Sequence, residues 1–231
     1  MLTLDERLAL CTSFVRDNAA LADIGTDHAY LPVWLVLNGR IRSAVAADVR
    51  EGPLRNAASA VEMMGVGDRV STVLSDGLDN IAPEQAEDIV MAGMGGELII
   101  KLIDRTDWLR DSSHRLILQP MTRAEVLRRY LCENGFEITE EKACISSSKV
   151  YSVMCCQYDG KHRECSDEFA WAGKLAGDIS EASERYIGVI CEKLRKHLRG
   201  LKEGSAEYIR MQSLIDTLNR TDGGDKDGNC V

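Results

Sequence analysis

The residues best suited to chemistry lie together in one stretch, Leu21-Ala22-Asp23-Ile24-Gly25-Thr26-Asp27-His28-Ala29-Tyr30-Leu31-Pro32. An apolar run delivers Asp23, Gly25 follows two positions later, and helix-forming residues begin shortly after. In a strand, turn and helix that order lays a ligand against backbone amides at the strand's carboxyl end. A pyrophosphate-binding loop carries three glycines, whereas here Asp27 and Ala29 or His28 occupy the second and third positions. Two carboxylates, Asp23 and Asp27, repel an anion and attract a cation. S-adenosylmethionine carries an ammonium and a sulfonium and no phosphate, which makes it the expected cofactor.

Asp48 closes the second apolar run, in the place from which a carboxylate accepts both hydroxyls of a ribose. Asp76 follows the third run in Ser75-Asp76-Gly77-Leu78, where its oxygen would accept from an adenine amino group. A lone aspartate at a strand end more often caps a helix; Asp23, Asp48 and Asp76 in register point to a ligand. The fourth run ends in Met91-Ala92-Gly93-Met94-Gly95-Gly96-Glu97. Enzymes that methylate exocyclic amines commonly carry Asn/Asp-Pro-Pro-aromatic there, and this chain does not. Its glycines bring backbone close to a flat base or a methionine moiety; a tight turn before a helix is the structural alternative.

Those loops need a parallel sheet to hold them. Apolar runs at Ala20 to Ile24, Ser43 to Asp48, Val70 to Leu74, Asp88 to Met91 and Arg115 to Gln119 read as strands. Helical patterns at Ala29 to Asn38, Pro53 to Met64, Glu97 to Ile103 and Arg123 to Glu133 alternate with them, the rhythm of an α/β fold. Phe136 to Cys144 and Lys149 to Tyr158 follow without an intervening helix and predict an antiparallel hairpin at the sheet's edge. After Gly160 helix formers dominate. Ile187, Ile190, Cys191, Leu194, Leu198 and Leu201, then Tyr208, Met211, Leu214, Ile215 and Leu218, predict two antiparallel helices joined by Lys202-Glu203-Gly204-Ser205. The expected division is a catalytic domain over 1–160, a helical hairpin over 161–221 and a disordered tail over 222–231.

The chain has 231 residues, 45 % of them hydrophobic and 28 % charged, enough for a full core and one appendage. No apolar run approaches the ~18 residues that would span a membrane, and the acidic start resembles no signal peptide, so the expected compartment is the cytoplasm. The 8 cysteines form no CxxC pair and predict small core residues rather than a metal site. A net charge of −9 disfavours generic nucleic-acid binding but leaves room for a local basic patch. Residues 161–221 carry 11 basic and 10 acidic residues, the most basic part of the chain.

The strings Asp27-His28-Ala29-Tyr30-Leu31-Pro32 and Met91-Ala92-Gly93-Met94-Gly95-Gly96 are more specific than a glycine pattern. With Arg7-Leu8, Asp48-Val49, Gly52-Pro53, Ser75-Asp76-Gly77-Leu78 and Leu118-Gln119-Pro120, the sequence resembles the bacterial tRNA (adenine-N1)-methyltransferase family that modifies adenosine 22. The likeness extends to about Arg220. It implies a Rossmann-like class I methyltransferase with a seven-stranded, mostly parallel sheet, followed by an antiparallel coiled coil that helps bind tRNA. It also implies cofactor binding by Arg7, Asp23, Gly25, Thr26, Asp27, His28, Asp48, Val49, Ser75, Asp76, Gly77, Ala92, Gly93 and Met94. Gly95, Gly96, Gln119, Pro120 and Met121 would meet the substrate; Met121 departs from the Asn expected there in many relatives.

Methyl transfer to adenine N1 uses a lone pair that is already free, so positioning dominates and no base is required before attack. Asp27 would stabilise the cationic product, His28 would relay a proton from the product amine, and Tyr30 would stack on a flipped base. The structural alternatives are that Asp27 and His28 cap the next helix and that Tyr30 packs beneath the sheet. Arg195, Arg199 and Lys202, at i, i+4 and i+7, are the expected tRNA grip, with Arg123, Arg128, Arg129 and Tyr130 secondary. No obligate protein partner is evident. The rival readings are a small-molecule methyltransferase, with the helical hairpin as a lid, and a non-catalytic RNA-binding protein.

Overall fold

β1 (Ala20–Ile24) is buried along its whole length because the sheet is covered on both faces. The computed structural model describes residues 2–221; the expected disordered tail lies outside the described residues. The other strands are β2 (Ser43–Asp48), β3 (Val70–Leu74), β4 (Asp88–Gly95), β5 (Arg115–Thr122), β6 (Phe136–Ser146) and β7 (Lys149–Tyr158). They form one sheet in the order β3-β2-β1-β4-β5-β7-β6. β1 to β5 run parallel, β7 pairs antiparallel with β5, and β6 antiparallel with β7.

The period-two alternation of strand side chains builds two cores. Ala22, Ile24, Ile89, Met91, Leu116 and Leu118 face one side, where α4 (Gly96–Asp104) supplies Ile99 and Ile103 and α5 (Ala124–Glu133) supplies Leu127 and Leu131. Leu21, Ala44, Ala46, Val90 and Ile117 face the other. There α1 (Glu6–Ser13), α2 (Tyr30–Leu37) and α3 (Glu51–Met63) contribute Cys11, Leu31, Leu35, Ala57 and Val61. Next come α6 (Asp167–Ala172), α7 (Glu181–Leu198) and α8 (Ala206–Thr221). Ile187, Ile190, Cys191 and Leu194 of α7 meet Leu214, Ile215 and Leu218 of α8 in a third core, flanked by Ala143 of β6 and Val150 of β7. Among the described residues no helix is long and apolar enough to cross a membrane.

Several local outcomes differ from the sequence expectation, among them β6, which continues to Ser146 instead of ending at Cys144. β4 continues to Gly95 instead of ending at Met91, and its register against β5 shifts between Ala92 and Met94. Gly93, at φ +79°, absorbs that bulge, a conformation open to glycine. β5 continues past Gln119 because Pro120 stands opposite the bulged Met94, where the regular ladder is already interrupted. α1, not assigned from sequence, is capped by the Asp5 carboxylate accepting from Leu8 N at 2.7 Å.

Candidate active site at the carboxyl ends of β1 and β4

A cavity of about 360 Å³ opens where β1 passes into α2. Its walls come from the α1 end (Asp5, Arg7, Leu8), from Asp23 with Gly25 to Leu31, and from Ala92 and Gly93. Asp23 is buried, and burial pushes its carboxyl up to about 6, with the Thr26 hydroxyl and the Arg7 guanidinium partly opposing the shift. The loop is pinned to the neighbouring strand by Gly25 N and Thr26 N, both donating to Ala47 O at 2.8 and 3.0 Å. Gly25 has φ +75°, which a side chain would strain, and the Met94 methyl lies against its bare face.

The geometry decides between the two readings of Asp27, His28 and Tyr30 as structural groups. Thr26 caps the turn, its hydroxyl accepting from Ala29 N at 3.0 Å, so neither Asp27 nor His28 caps α2. Tyr30 is 43 % exposed at the cavity wall, not under the sheet. Its ring stacks on His28 with centroids 5.0 Å apart and planes 12° from parallel. His28 Nε2 stands 3.4 Å from an Asp27 carboxylate whose side chain is 67 % exposed. A carboxylate, an imidazole and a phenol therefore share one rim.

Beyond that cavity's wall lie the ends of β2 and β3. Asp48 is buried, its Oδ1 accepting from Arg50 N at 2.8 Å, while Oδ2 takes no hydrogen bond among the described residues. Val49 beside it is exposed. Ser75 N donates to Asp48 O at 3.0 Å, which sets the two loops side by side. The Ser75 hydroxyl itself is buried and accepts from Asn80 N, so Ser75 shapes the loop and offers no side chain to a ligand. Asp76 keeps an exposed side chain, but Arg105, the residue after α4, pairs with its carboxylate at 2.8 Å and lowers its pKa through that bond. Arg105 went unnoticed in the sequence because nothing local marks a partner 29 residues away. A Cβ on Gly77 would meet Leu102 and Arg105 side chains, so this glycine serves the same packing.

The expected substrate group divides. Gln119 has no exposed surface; its Oε1 accepts from Arg7 Nη1 at 3.0 Å and Gly93 N at 2.9 Å, and its Nε2 donates to Pro120 O. It cannot touch a base in this arrangement and instead ties α1 to the β4 bulge. A Cβ on Gly96 would stand 2.6 Å from Arg123 O, so backbone packing, not a base, requires glycine there. Gly95 is half-buried beside Thr122, Pro120 is buried, and Met121 is 46 % exposed. Arg195 donates to Asn219 Oδ1 of α8 at 3.1 Å, while Arg199 and Lys202 are exposed toward the end of the hairpin. Of the secondary candidates, Arg128 is wholly buried, and Arg129 and Tyr130 are engaged by Asp167 and Asp104. Asp5, which sequence reasoning passed over, also lines the cavity and pairs with Arg7 at 3.4 Å; its place before Glu6 at a helix start was the available signal.

Comparison with known proteins accords with this architecture. Residues 4–154 match the family model described as a methyltransferase domain. The tRNA (adenine(22)-N(1))-methyltransferase of Bacillus subtilis is 29 % identical over 94 % of this chain and 89 % of its own length. A Streptococcus pneumoniae protein described as a candidate tRNA (m1A22) methyltransferase, its crystal structure in complex with S-adenosyl-L-methionine, superposes with a TM-score of 0.82 at 31 % identity, covering 95 % of this chain and 99 % of that one. The crystal structure of the B. subtilis m1A22 tRNA methyltransferase TrmK gives 0.82 at 26 % identity, covering 96 % and 99 %. Over nearly its full length, in sequence and in fold, the chain belongs to the bacterial tRNA (adenine(22)-N1)-methyltransferase family.

Proposed function

We propose that the protein uses S-adenosylmethionine to methylate N1 of adenosine 22 in tRNA, with residues 1–160 carrying the chemistry and 161–221 assisting tRNA contact. The observation that carries this reading is the cavity joining buried Asp23 and Arg7 to the Asp27, His28 and Tyr30 rim. The donor set fits the cofactor: Asp23 suits an ammonium, Arg7 a carboxylate, and Asp48 Oδ2 a ribose diol. When bound, S-adenosylmethionine supplies an electrophilic methyl group whose bonding pair returns to sulfur.

Asp27 stabilises the positive charge that appears on the base as the N1 lone pair forms its bond to the methyl carbon. The stacked His28 and Tyr30 rings offer a flat surface to a base turned out of its stack. His28 takes the proton that the product amine releases. Gln119 acts at one remove, holding the Gly93 amide and Arg7 in place. The deciding experiment incubates the protein with unmodified tRNA and methyl-labelled S-adenosylmethionine, then digests the RNA. Label in 1-methyladenosine at position 22 is expected; cofactor binding without labelled RNA would sink the reading in favour of a small-molecule acceptor.

Cofactor affinity should depend on pH through Asp23. Its pKa rises from 3.8 to about 6 on folding, so the ligand-free fold loses stability as the pH climbs through that window. An ammonium needs the ionised carboxylate, so affinity for S-adenosylmethionine should strengthen as the pH rises, by up to about tenfold per unit below the folded pKa, and level off above it. Calorimetric titrations from pH 5 to 7.5 check this; a flat profile removes Asp23 from the ammonium site. Asp48→Ala should weaken cofactor binding by about 1–3 kcal/mol through lost charge-assisted hydrogen bonds. An unchanged dissociation constant would refute the ribose assignment.

A further inference from the structure

A second cleft, of about 470 Å³, lies beside the active cavity, between the carboxyl end of β5 and α7. Its wall is tied to the site already described, because Gln119, bonded to Gly93, is followed two residues later by Met121 in the cleft wall. Past Lys193 it continues into a hollow of about 560 Å³ that reaches Lys196. Arg123, Lys149, Arg185, Lys193 and Lys196 line this path. The carboxylates facing them are Glu125, paired with Lys193 and Arg123 at 3.7 Å, and Glu97, 3.3 Å from Arg123. His197, farther along, is 3.4 Å from Glu207. Lys149 and Lys196 have no ion-pair partner among the described residues, and Arg185 donates only to the Ser148 carbonyl. A local excess of cations in a chain of net charge −9 is a focused positive path.

We infer that this cleft seats the RNA strand flanking the target adenosine, its phosphodiesters on Lys149, Arg185, Lys193 and Lys196. The inference rests on the proposed tRNA activity and deepens it. Exposed Met121 and Val189 give the cleft an apolar floor for ribose and base faces between the charges. Lys193 lies 4.8 Å over the Trp171 ring, which holds its ammonium at the junction of the two hollows. The β6–β7 turn presents Lys149 through Ser147 and Ser148, both at positive φ, and Arg185 fastens that turn to α7. This places the strand on the face of α7 that carries Arg185, Lys193 and Lys196 and borders the β6–β7 turn, whereas Lys202 lies beyond the end of α7 at Leu198.

The test compares Lys149→Glu/Arg185→Glu with Arg55→Glu/Arg69→Glu, which makes the same charge change on exposed positions remote from the cleft. For the cleft pair, the tRNA dissociation constant should rise at least about tenfold and the salt slope, log affinity against log salt, should shallow by roughly 1 to 1.5. S-adenosylmethionine affinity and the unfolding midpoint should stay at wild-type values, and the remote pair should bind tRNA like wild type. Lys196→Glu, at an exposed helix position, gives the same reading if the double variant folds poorly. Unchanged tRNA affinity and slope in the cleft variants, or equal losses in the remote pair, would overturn the inference. Loss on Arg195→Glu/Arg199→Glu with an intact response in the cleft variants would move the strand to the outer hairpin face. A wild-type protein that neither binds nor methylates tRNA would instead overturn the activity itself, and binding of an acidic peptide in the same cleft would then be the reading to pursue.

Discussion

Arg128→Ala should destabilise the protein by about 3–5 kcal/mol, the cost of leaving a buried carboxylate without its partner. Arg128 and Glu141 have no exposed side-chain surface and meet at 2.7 Å. Burial disfavours the guanidinium charge, yet Glu141 and Tyr186 more than offset it, so the arginine is held above its ordinary pKa. The same guanidinium donates to Ala170 O at 2.9 Å, Trp171 O at 3.0 Å and the Tyr186 hydroxyl at 3.1 Å. One side chain on α5 thereby satisfies β6, the end of α6 and the first half of α7. Its loss strands several buried acceptors together and loosens the seat of the helical hairpin.

Denaturant unfolding followed by circular dichroism measures the loss, and a change below ~1 kcal/mol would show that the network is dispensable. Arg128→Met/Glu141→Leu should recover only part of it, because the Ala170 and Trp171 carbonyls remain unpaired. Gly173→Ala should fail in the same region, since its Cβ would fall 2.0 Å from Glu141 Oε2 at a backbone φ of +59°.

Asp27→Asn should lower kcat by roughly 100-fold and leave S-adenosylmethionine affinity nearly unchanged. In the free protein the carboxylate is well exposed, and water screens its field. Once tRNA covers the cavity that screening falls, and the charge acts on the base as positive charge develops there. The effect therefore belongs in turnover and not in cofactor binding. Single-turnover methylation with saturating tRNA separates the two. A wild-type rate in Asp27→Asn would take this residue out of the mechanism, and a parallel loss of cofactor affinity would assign it to the cofactor instead.

Every strand of the sheet was readable in the chain, four of the seven to the residue. β1, β2, β3 and β7 begin and end where apolar runs meet Gly, Asp or turn residues. The α7–α8 hairpin follows from apolar residues at helical spacing on both sides of Gly204. These signals are local: side-chain period, caps and turn residues act over a few positions. The β4 bulge was less visible, because Gly93 permits a turn and a bulged strand equally, and pairing with β5 chooses between them.

The acidic strand ends and the Asp27, His28 and Tyr30 cluster were likewise legible by position, since chain order alone puts strand ends at one edge of a parallel sheet. Which of those groups remain open to a ligand depended on contacts far apart in sequence. Gln119 is consumed by Arg7 at a separation of 112 residues and Arg128 by Glu141 and Tyr186, while Asp76 pairs with Arg105 and keeps an exposed side chain. The basic residues of α7 sort the same way. Spacing groups Arg195, Arg199 and Lys202 on one face, while packing of α7 against the β6–β7 hairpin brings Lys193 and Lys196 together with Arg123, Lys149 and Arg185. Local stereochemistry is written in short stretches of sequence, but burial and ionic partnership arise when distant segments desolvate each other, and only the assembled sheet and helices specify which charges meet and which face solvent.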